Sequence, residues 1–130
     1  MKILQPQGWR RPKGYANGVS AKGRMIFTAG VIGWDENEMI ASYRIDKQFE
    51  QALKNVVAIL AEDGAKPEHV VRMTIYVTSI QEYVPLRDEL APIWKAIMGD
   101  HYPAIALVEV VRLLERAAKV EIEATAVVDE

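Results

Sequence analysis

Three glutamates near the end of the chain have the clearest potential for chemistry. Glu109, Glu121 and Glu123 lie inside two strand-like runs, 104–111 and 119–128, that are rich in β-branched and small apolar residues. Side chains alternate between the two faces of a strand, and carboxylates are disfavoured in such runs. We therefore expect at least one of the three to face a protein surface or a ligand instead of bulk water. For Glu109 and Glu123 we expect a structural or solvent-facing position.

Other residue types give little support to other chemistries. His69 and His101 are isolated from further ligand candidates, so we predict no metal site. The absence of cysteine excludes disulfides and thiol chemistry. The segment around Gly30 and Gly33 lacks the spacing and the lysine of a phosphate-binding loop. No serine is visibly coupled to a base, which leaves nucleophilic catalysis unsupported.

Length and composition predict one domain, residues 1–130. Half of the chain is apolar (50%) and 26% is charged, which suits a single core. Sixteen basic and eighteen acidic residues give a net charge of -2 without long runs of one sign, so we expect neither nucleic acid nor a membrane as a partner. The sequence has no secretory signal and no run of the roughly 20 apolar residues that span a membrane. These features predict a cytoplasmic protein.

Hydrophobic periodicity predicts the order strand, strand, helix, strand, helix, strand, strand. The predicted strands span 16–21, 24–29, 70–78, 104–111 and 119–128, and the predicted helices span 44–62 and 79–98. Gly23 suits a hairpin between the first two strands, and 112–118 suits a turn between the last two. Pro92 is expected to kink or end the second helix early, because proline removes a backbone hydrogen bond.

This order indicates an α+β domain whose mixed sheet carries both helices on one face. In the strand 70–78, one face is expected to hold four apolar residues, Val71, Met73, Ile75 and Val77. The other face of the sheet would hold Arg72, Thr74 and Tyr76, with Glu109 on one of its strands, and some of the apolar residues. A face that is neither clearly core nor clearly solvated predicts burial by another copy of the chain, and hence a homo-oligomer.

Three long stretches of the chain share the pattern of one family: GYANGVSAKGRMIFTAGVIG, LAEDGAKPEHVVRMTIYVTSIQEY, and YPAIALVEVVRL followed by KVEIEATAV. In this order and spacing they resemble the RidA/YjgF family, also called the reactive-intermediate deaminase family. The resemblance runs from about Gly14 to Val127 and implies a chorismate-mutase-like α+β fold. It also implies a homotrimer, with the sheets packed in the middle and a small-molecule cleft between each pair of neighbouring subunits.

The best-known members of that family hydrolyse imines and enamines of 2-oxo acids to the oxo acid and ammonia, without metal or cofactor. In the family pattern, an arginine directly after the Pro-Ala pair binds the substrate carboxylate, whereas this chain has Ile105. Leu107 stands where the family usually has cysteine or serine. Hydrogen bonds to charged groups contribute roughly 1.5 to 3 kcal/mol each, so the loss of a bidentate arginine should weaken carboxylate binding by on the order of tenfold to more than a thousandfold. Both positions predict an apolar cleft wall.

Other positions carry over unevenly from the family pattern. Glu121 matches a water-positioning glutamate, and Tyr15 matches the tyrosine of an early Tyr-Ser-Gln segment. Ala29 stands where the family has a serine, and Arg87 where it has a substrate-contacting asparagine. Arg87 either replaces the missing positive charge or is a solvated side chain that lies beside Asp88 or pairs with Tyr83 along the helix.

Hydrolysis of a C=N bond requires an oriented water, a carboxylate that takes and returns a proton, and a group that holds the substrate. Glu121 suits the first two roles; alternatively, it pairs with Arg112 or Lys119. We predict a divergent deaminase acting on an imine or enamine other than a short 2-imino acid, for example an aminomuconate-type compound. The alternative is a non-catalytic binding or interaction trimer. Ile105 favours that alternative, whereas Glu121 and Tyr15 favour the enzyme.

Overall fold

Residues 1–129, which a computed structural model describes, fold into a mixed β-sheet with helices on one face. The strands are β1 (Lys2–Ile3), β2 (Val19–Ser20), β3 (Arg24–Phe27), β4 (Val31–Ile32), β5 (Val70–Val77), β6 (Ala104–Glu109) and β7 (Val120–Val128). The helices are α1 (Ile45–Ala61), α2 (Ile80–Tyr83) and α3 (Arg87–Met98). The main sheet has the order β3-β7-β5-β6, with β4 also paired to β7. The predicted fold class is confirmed.

Helix α1 covers the centre of the sheet. Its apolar residues recur at helical spacing and bury Phe49, Leu53, Val56 and Leu60 in the core. Each such side chain contributes roughly 1.5 to 3 kcal/mol when it is fully buried. Gly64 follows the helix at φ 80°, a left-handed conformation that glycine adopts without steric cost. The predicted helix 44–62 is confirmed.

The second predicted helix is divided in two. A 3-10 turn over Val84–Leu86, which contains Pro85, separates α2 from α3. Ser79 caps α2 by accepting a hydrogen bond from the backbone N–H of Glu82 at 3.1 Å, as the spacing predicted. The early end expected at Pro92 is wrong, because α3 continues through it. Pro92 is exposed, so water can hydrate the carbonyl that it leaves unbonded.

Both predicted hairpins are wrong. Strand β2 pairs with β1, and β3 pairs with β7. Strands β6 and β7 are separated by β5, which pairs in parallel with β6 and antiparallel with β7. The connection between them, 110–119, passes the end of β5, where the N–H of Val110 donates to the carbonyl of Val77 at 2.9 Å. The closing strand β7 is therefore central, and β6 is an edge strand.

The alternation of β5 starts one residue away from the predicted position. A bulge between Val70 and Arg72 inserts Val71 into the strand, so Val70 joins the core with Met73. The prediction that Val71 shares the core face is therefore wrong. Beyond the bulge the expected alternation holds.

Glu109 also lies on the face opposite to the predicted one. It pairs with Val77, whose side chain is in the core, so it projects on the helix side of the sheet. Its Oε1 accepts the backbone N–H of Ile80 at 2.9 Å, at the first residue of α2. This contact satisfies one of the free N–H groups of a helix start and gives Glu109 a structural role.

The opposite side of the sheet, which we call the open face, carries no helix. Strand register assigns to it Met25, Phe27, Ile32, Arg72, Thr74, Tyr76, Ala104, Ala106, Val108, Glu121, Glu123, Thr125 and Val127. Its apolar members include Phe27, which is 64% exposed, and Met25, which is 58% exposed. Arg72, Thr74 and Tyr76 lie where the sequence predicted.

Candidate functional site

Glu121 lies in the middle of the open face. Its partners in register are Ile32 on β4 and Tyr76 on β5, and Tyr76 is in turn paired with Val108 on β6. Glu121 is half-buried, and within residues 1–129 its carboxylate has neither a hydrogen bond nor an ion pair. It is therefore a carboxylate whose capacity to accept hydrogen bonds is open to water or a ligand.

The backbone of Gly30 lies against this carboxylate. A Cβ atom added to Gly30 would lie 2.6 Å from Glu121 Oε2, closer than real side chains approach. Thr28, two residues before Gly30, is bound to β7 by two hydrogen bonds. Its N–H donates to the carbonyl of Ala124 at 2.9 Å, and its Oγ1 accepts the N–H of Ala124 at 3.0 Å. These contacts bring Ala29 to the same part of β7 as Glu121. A side chain at position 30 would therefore have to move the Glu121 carboxylate.

Gln48 on α1 holds the start of the strand that carries Glu121. Its Nε2 donates to the carbonyls of Ser42 and Ala117 at 3.0 and 2.9 Å, and its Oε1 accepts the N–H of Lys119 at 2.7 Å. Gln48 is 1% exposed, so these groups have no water to replace it. Sequence reasoning missed this residue because it reads as an ordinary polar position of an amphipathic helix.

The ion pairs considered for Glu121 do not form within one chain. Lys119 Nζ instead lies 3.0 Å from Glu82 Oε2. Arg112 is exposed in the connection that precedes β7 and makes no contact with Glu121 in the part of the chain described. The interpretation of Glu121 as a structural ion-pair partner is therefore wrong for the single chain.

Tyr76 connects the two rows of the open face that contain glutamates. Its Oη donates a hydrogen bond to Glu123 Oε1 at 2.7 Å. The pKa of Tyr76 is raised by this hydrogen bond, by burial, and by the negative charges of Glu123 and Glu121. The phenol therefore remains a protonated donor at neutral pH.

Ile105 and Leu107 lie away from Glu121, on the edge strand β6. They pair with Met73 and Ile75, whose side chains point toward the helices, and both pack against the core. Glu121 points to the opposite face of the sheet. The predicted residues of one cleft therefore form two separate groups in a single chain.

Tyr15 belongs to the β6 side. The next residue, Ala16, forms a parallel bridge with Ala104 and donates its N–H to the carbonyl of Pro103 at 2.9 Å. Tyr15 is 43% exposed at this edge. It is thus placed near the start of the strand that carries Ile105, and across the sheet from Glu121.

Arg87 is exposed at the first residue of α3. Burial raises the pKa of Tyr83, and the positive charge of Arg87 opposes that rise. The guanidinium makes no hydrogen bond or ion pair to residues 1–129. Its charge is consequently available to a ligand or to a second chain.

Two cavities formed by residues 1–129 do not have Glu121 in their lining. One of about 220 Å³ opens on the open face and is lined by Phe27, Thr28, Arg72, Thr74, Glu123, Ala124 and Thr125. Another of about 230 Å³ lies between α1 and the loop before it. Residues 1–129 contain no cluster of three or more side chains suited to a metal ion, and none of their helices has the length and apolarity required to cross a bilayer.

Comparison with known proteins identifies the family. Residues 10–128 match the family described as Endoribonuclease L-PSP. The chain is 31% identical to the RutC family protein slr0709 of Synechocystis, over 98% of this chain and 96% of that protein. It is 32% identical to the 2-iminobutanoate/2-iminopropanoate deaminase of Salmonella typhimurium, over 87% of this chain and 86% of that enzyme.

Solved structures agree with this assignment. The Rid-family protein YyfB from Yersinia pestis superposes with a TM-score of 0.85 at 27% identity and covers 98% of each chain. Escherichia coli TdcF, solved with bound serine, superposes with a TM-score of 0.72 at 28% identity and covers 99% of this chain and 100% of its own. The chain therefore belongs to the RidA/YjgF family.

Proposed function

We propose that this protein hydrolyses the C=N bond of a small imine, or of the imine tautomer of an enamine, and releases a carbonyl compound and ammonia. The observation that carries the proposal is Glu121, a half-buried carboxylate with no hydrogen-bond or ion-pair partner among residues 1–129 and with the Gly30 backbone packed against it. Family members named 2-iminobutanoate/2-iminopropanoate deaminase support the reaction class.

The chemistry requires one proton-transfer group. Glu121 accepts a proton from water as the water oxygen bonds to the imine carbon and the C=N double bond becomes single. It returns that proton to the nitrogen, which gives a carbinolamine. Glu121 then takes the hydroxyl proton and passes it to the nitrogen as the C–N bond breaks, so that ammonia leaves and the C=O bond forms. The sum is imine plus water giving carbonyl plus ammonia. A positioned acid/base of this kind contributes roughly 10²- to 10⁴-fold to a rate.

The substrate-binding wall favours an imine without a carboxylate next to its C=N carbon. Ile105 and Leu107 present apolar side chains at the edge strand and offer no hydrogen-bond donor to an anion. An aminomuconate-type compound carries a carboxylate on the carbon that bears the nitrogen, so it would need a cation other than the missing arginine, and the exposed Arg87 is the candidate for that role. This class differs from the short 2-imino acids named for the relatives.

The complete site requires more than one copy of the chain. Glu121 and Ala29 lie on the inner part of the sheet, whereas Ile105, Leu107 and Tyr15 lie at the β6 edge. A second copy that placed its β6 edge over the open face would bring the two groups together. It would also bury the exposed side chains of Phe27 and Met25. We therefore propose a cyclic homotrimer with three equivalent clefts.

Ammonia release tests the enzymatic function. Imines are generated in place by an amino-acid oxidase from a panel of acidic and neutral amino acids, and amine oxidase supplies imines without a carboxylate. The wild-type chain is expected to accelerate ammonia release, most strongly for the imines without a carboxylate. Glu121→Gln is expected to lose this acceleration, whereas Glu36→Gln, the same change in an exposed loop, is expected to retain it.

A non-catalytic binding trimer is the second candidate, and Ile105 is the observation that favours it. Loss of the anion clamp with the remaining fold intact is compatible with ligand binding alone. That candidate is supported if the wild type accelerates none of the imines and Glu121→Gln changes nothing. Mass in solution then shows whether the trimer persists without the activity.

A further inference from the structure

Two carboxylates project from β7 on the open face, but within residues 1–129 only that of Glu123 accepts a hydrogen bond. Glu121 and Glu123 are two residues apart, so they share a face with their Cα atoms roughly 6.5 to 7 Å apart. Tyr76 lies directly across from Glu121, yet its hydroxyl reaches the next row and bonds to Glu123 at 2.7 Å. The aromatic side chain therefore spans the space between the two glutamates.

No cation separates these carboxylates. Glu121 faces Ile32 on β4, Tyr76 on β5, and the Gly30 backbone; beyond Tyr76, β6 contributes Val108. The charged or titratable groups on the open face among residues 1–129 are Glu121, Glu123, Tyr76 and Arg72. Arg72 pairs with Thr125, two rows away from Glu121 and one row from Glu123, and Thr74 pairs with Glu123. Of these side chains, only that of Tyr76 donates a hydrogen bond to one of the two carboxylates within residues 1–129.

We propose that Tyr76 is a positioning residue, which holds Glu123 and thereby leaves Glu121 as the one carboxylate of the pair that orients the attacking water. This inference rests on the proposed function. The phenol donates to an anion, which makes the bond charge-assisted and therefore stronger than a bond between neutral groups. The raised pKa of Tyr76 agrees with this arrangement, because both carboxylates disfavour a phenolate.

Removal of the hydroxyl has a defined consequence. Tyr76→Phe keeps the ring and its packing but frees the Glu123 carboxylate beside Glu121. The freed carboxylate competes for the same water and for the proton in transit. It also repels the ionised form of Glu121, so the acid limb of the pH profile of kcat should move to higher pH.

The test compares wild type, Tyr76→Phe, Glu123→Gln and the double variant in ammonia release from an imine without a carboxylate, across pH. Solution mass and Tm are measured in parallel. For Tyr76→Phe we expect kcat to fall about tenfold, KM to change less than about twofold, and the acid limb to shift upward. The double variant should recover the wild-type profile, because the glutamine removes the freed charge.

Glu123→Gln alone should stay within about twofold of wild type, since the amide oxygen can still accept the Tyr76 hydroxyl. This variant decides the matter if Tyr76→Phe does not fold. An unchanged pH profile in Tyr76→Phe, absence of recovery in the double variant, or a large loss in Glu123→Gln alone overturns the positioning role while the proposed function stands. An inactive wild type overturns both.

Discussion

Glu121 and Ile105 occupy parts of the sheet that constrain them very differently. Glu121 lies on β7, which has strands on both sides and the Gly30 backbone against the carboxylate. Ile105 lies on β6, which is the edge strand and has β5 as its only partner in the main sheet of residues 1–129. The comparison indicates that the backbone packs closely against the carboxylate of Glu121, the proposed proton-transfer group, whereas Ile105, proposed to form the substrate wall, packs against the core from an edge strand.

The largest effect should come from Gly30→Ala, because this substitution places a methyl group against the Glu121 carboxylate. The new Cβ would lie 2.6 Å from Glu121 Oε2 and must displace the carboxylate or the loop. A misplacement of about 1 Å can cost roughly 100-fold in rate, and we expect a kcat loss of that order in ammonia release. Gly18→Ala is the matched control, because the nearest atoms to its Cβ would be those of the Leu4 side chain, from 3.3 Å. Equal activity of both variants would contradict the close packing.

Gln48→Ala should show that the same region depends on the helix behind it. The substitution removes the hydrogen-bond partner of two part-buried carbonyls, of Ser42 and Ala117, and of the part-buried N–H of Lys119. We expect the free energy of unfolding to fall by about 2 to 4 kcal/mol, measured by urea unfolding at fixed protein concentration. Gln81→Ala, at an exposed position of α2, should change it by less than about 0.5 kcal/mol.

Ile105→Arg should show whether the residue at position 105, on the edge strand β6, determines which substrate binds. An arginine at the edge can extend from the sheet and form charge-assisted hydrogen bonds to a carboxylate. We expect the ratio of kcat/KM for 2-imino acids to that for imines without a carboxylate to rise by roughly 10- to 100-fold. Met39→Arg is the control and should leave the ratio unchanged, because Met39 lies in a loop and is 64% exposed. An unaltered ratio in Ile105→Arg would separate Ile105 from substrate choice.

The smallest effect concerns pH and the start of α1. The Arg44 guanidinium donates two hydrogen bonds to the buried carboxylate of Asp46, at 3.0 and 2.9 Å, and holds the pKa of that carboxyl below its usual range. This pair stabilises the fold above the ordinary pKa of aspartate, and its contribution is lost as pH falls through the lowered pKa. Because Arg44 is mostly exposed, we expect only about 1 kcal/mol.

Urea unfolding of the wild type and Asp46→Asn checks this contribution. The difference in the free energy of unfolding between them should be largest near neutral pH and should shrink in acid. Asp100→Asn, which changes a mostly exposed carboxylate, should lack this pH dependence. A constant difference across pH would contradict the assignment.

The sequence predicted the helices and strands better than it predicted which strands pair with each other. Hydrophobic period located α1, β5 and β7 closely, because a buried face imposes its period on the residues that form it. It could not reveal that β5 lies between β6 and β7, since alternation is the same whichever strand is adjacent. The bulge at Val71 could not be predicted either, because Val70 and Val71 are the same residue type and the pattern does not show which of them is the inserted one.

The candidate site was predictable only where a family pattern supplied positions. That pattern singled out Glu121 and Ile105, but it did not show that one chain places them on opposite faces. Gln48 and Tyr76 were missed as site-supporting residues because their roles depend on backbone groups and carboxylates far away in sequence, at Lys119 and Glu123. Single-sequence reasoning has no access to such long-range hydrogen bonds.

The most direct test of the account is complementation between two defective variants. Glu121→Gln removes the proposed proton-transfer group. Ile105→Glu replaces the apolar wall by a hydrated, charged carboxylate, against which an apolar imine cannot pack; each homotrimer should form and be inactive. Co-refolding equal amounts gives mixed trimers, in which random cyclic assembly makes about a quarter of the clefts intact. We predict recovery of about a quarter of the wild-type rate of ammonia release. If the refolded mixture contains hybrid trimers, shown by native mass spectrometry, and stays inactive, the claim that each site joins Glu121 of one copy to Ile105 of another is contradicted.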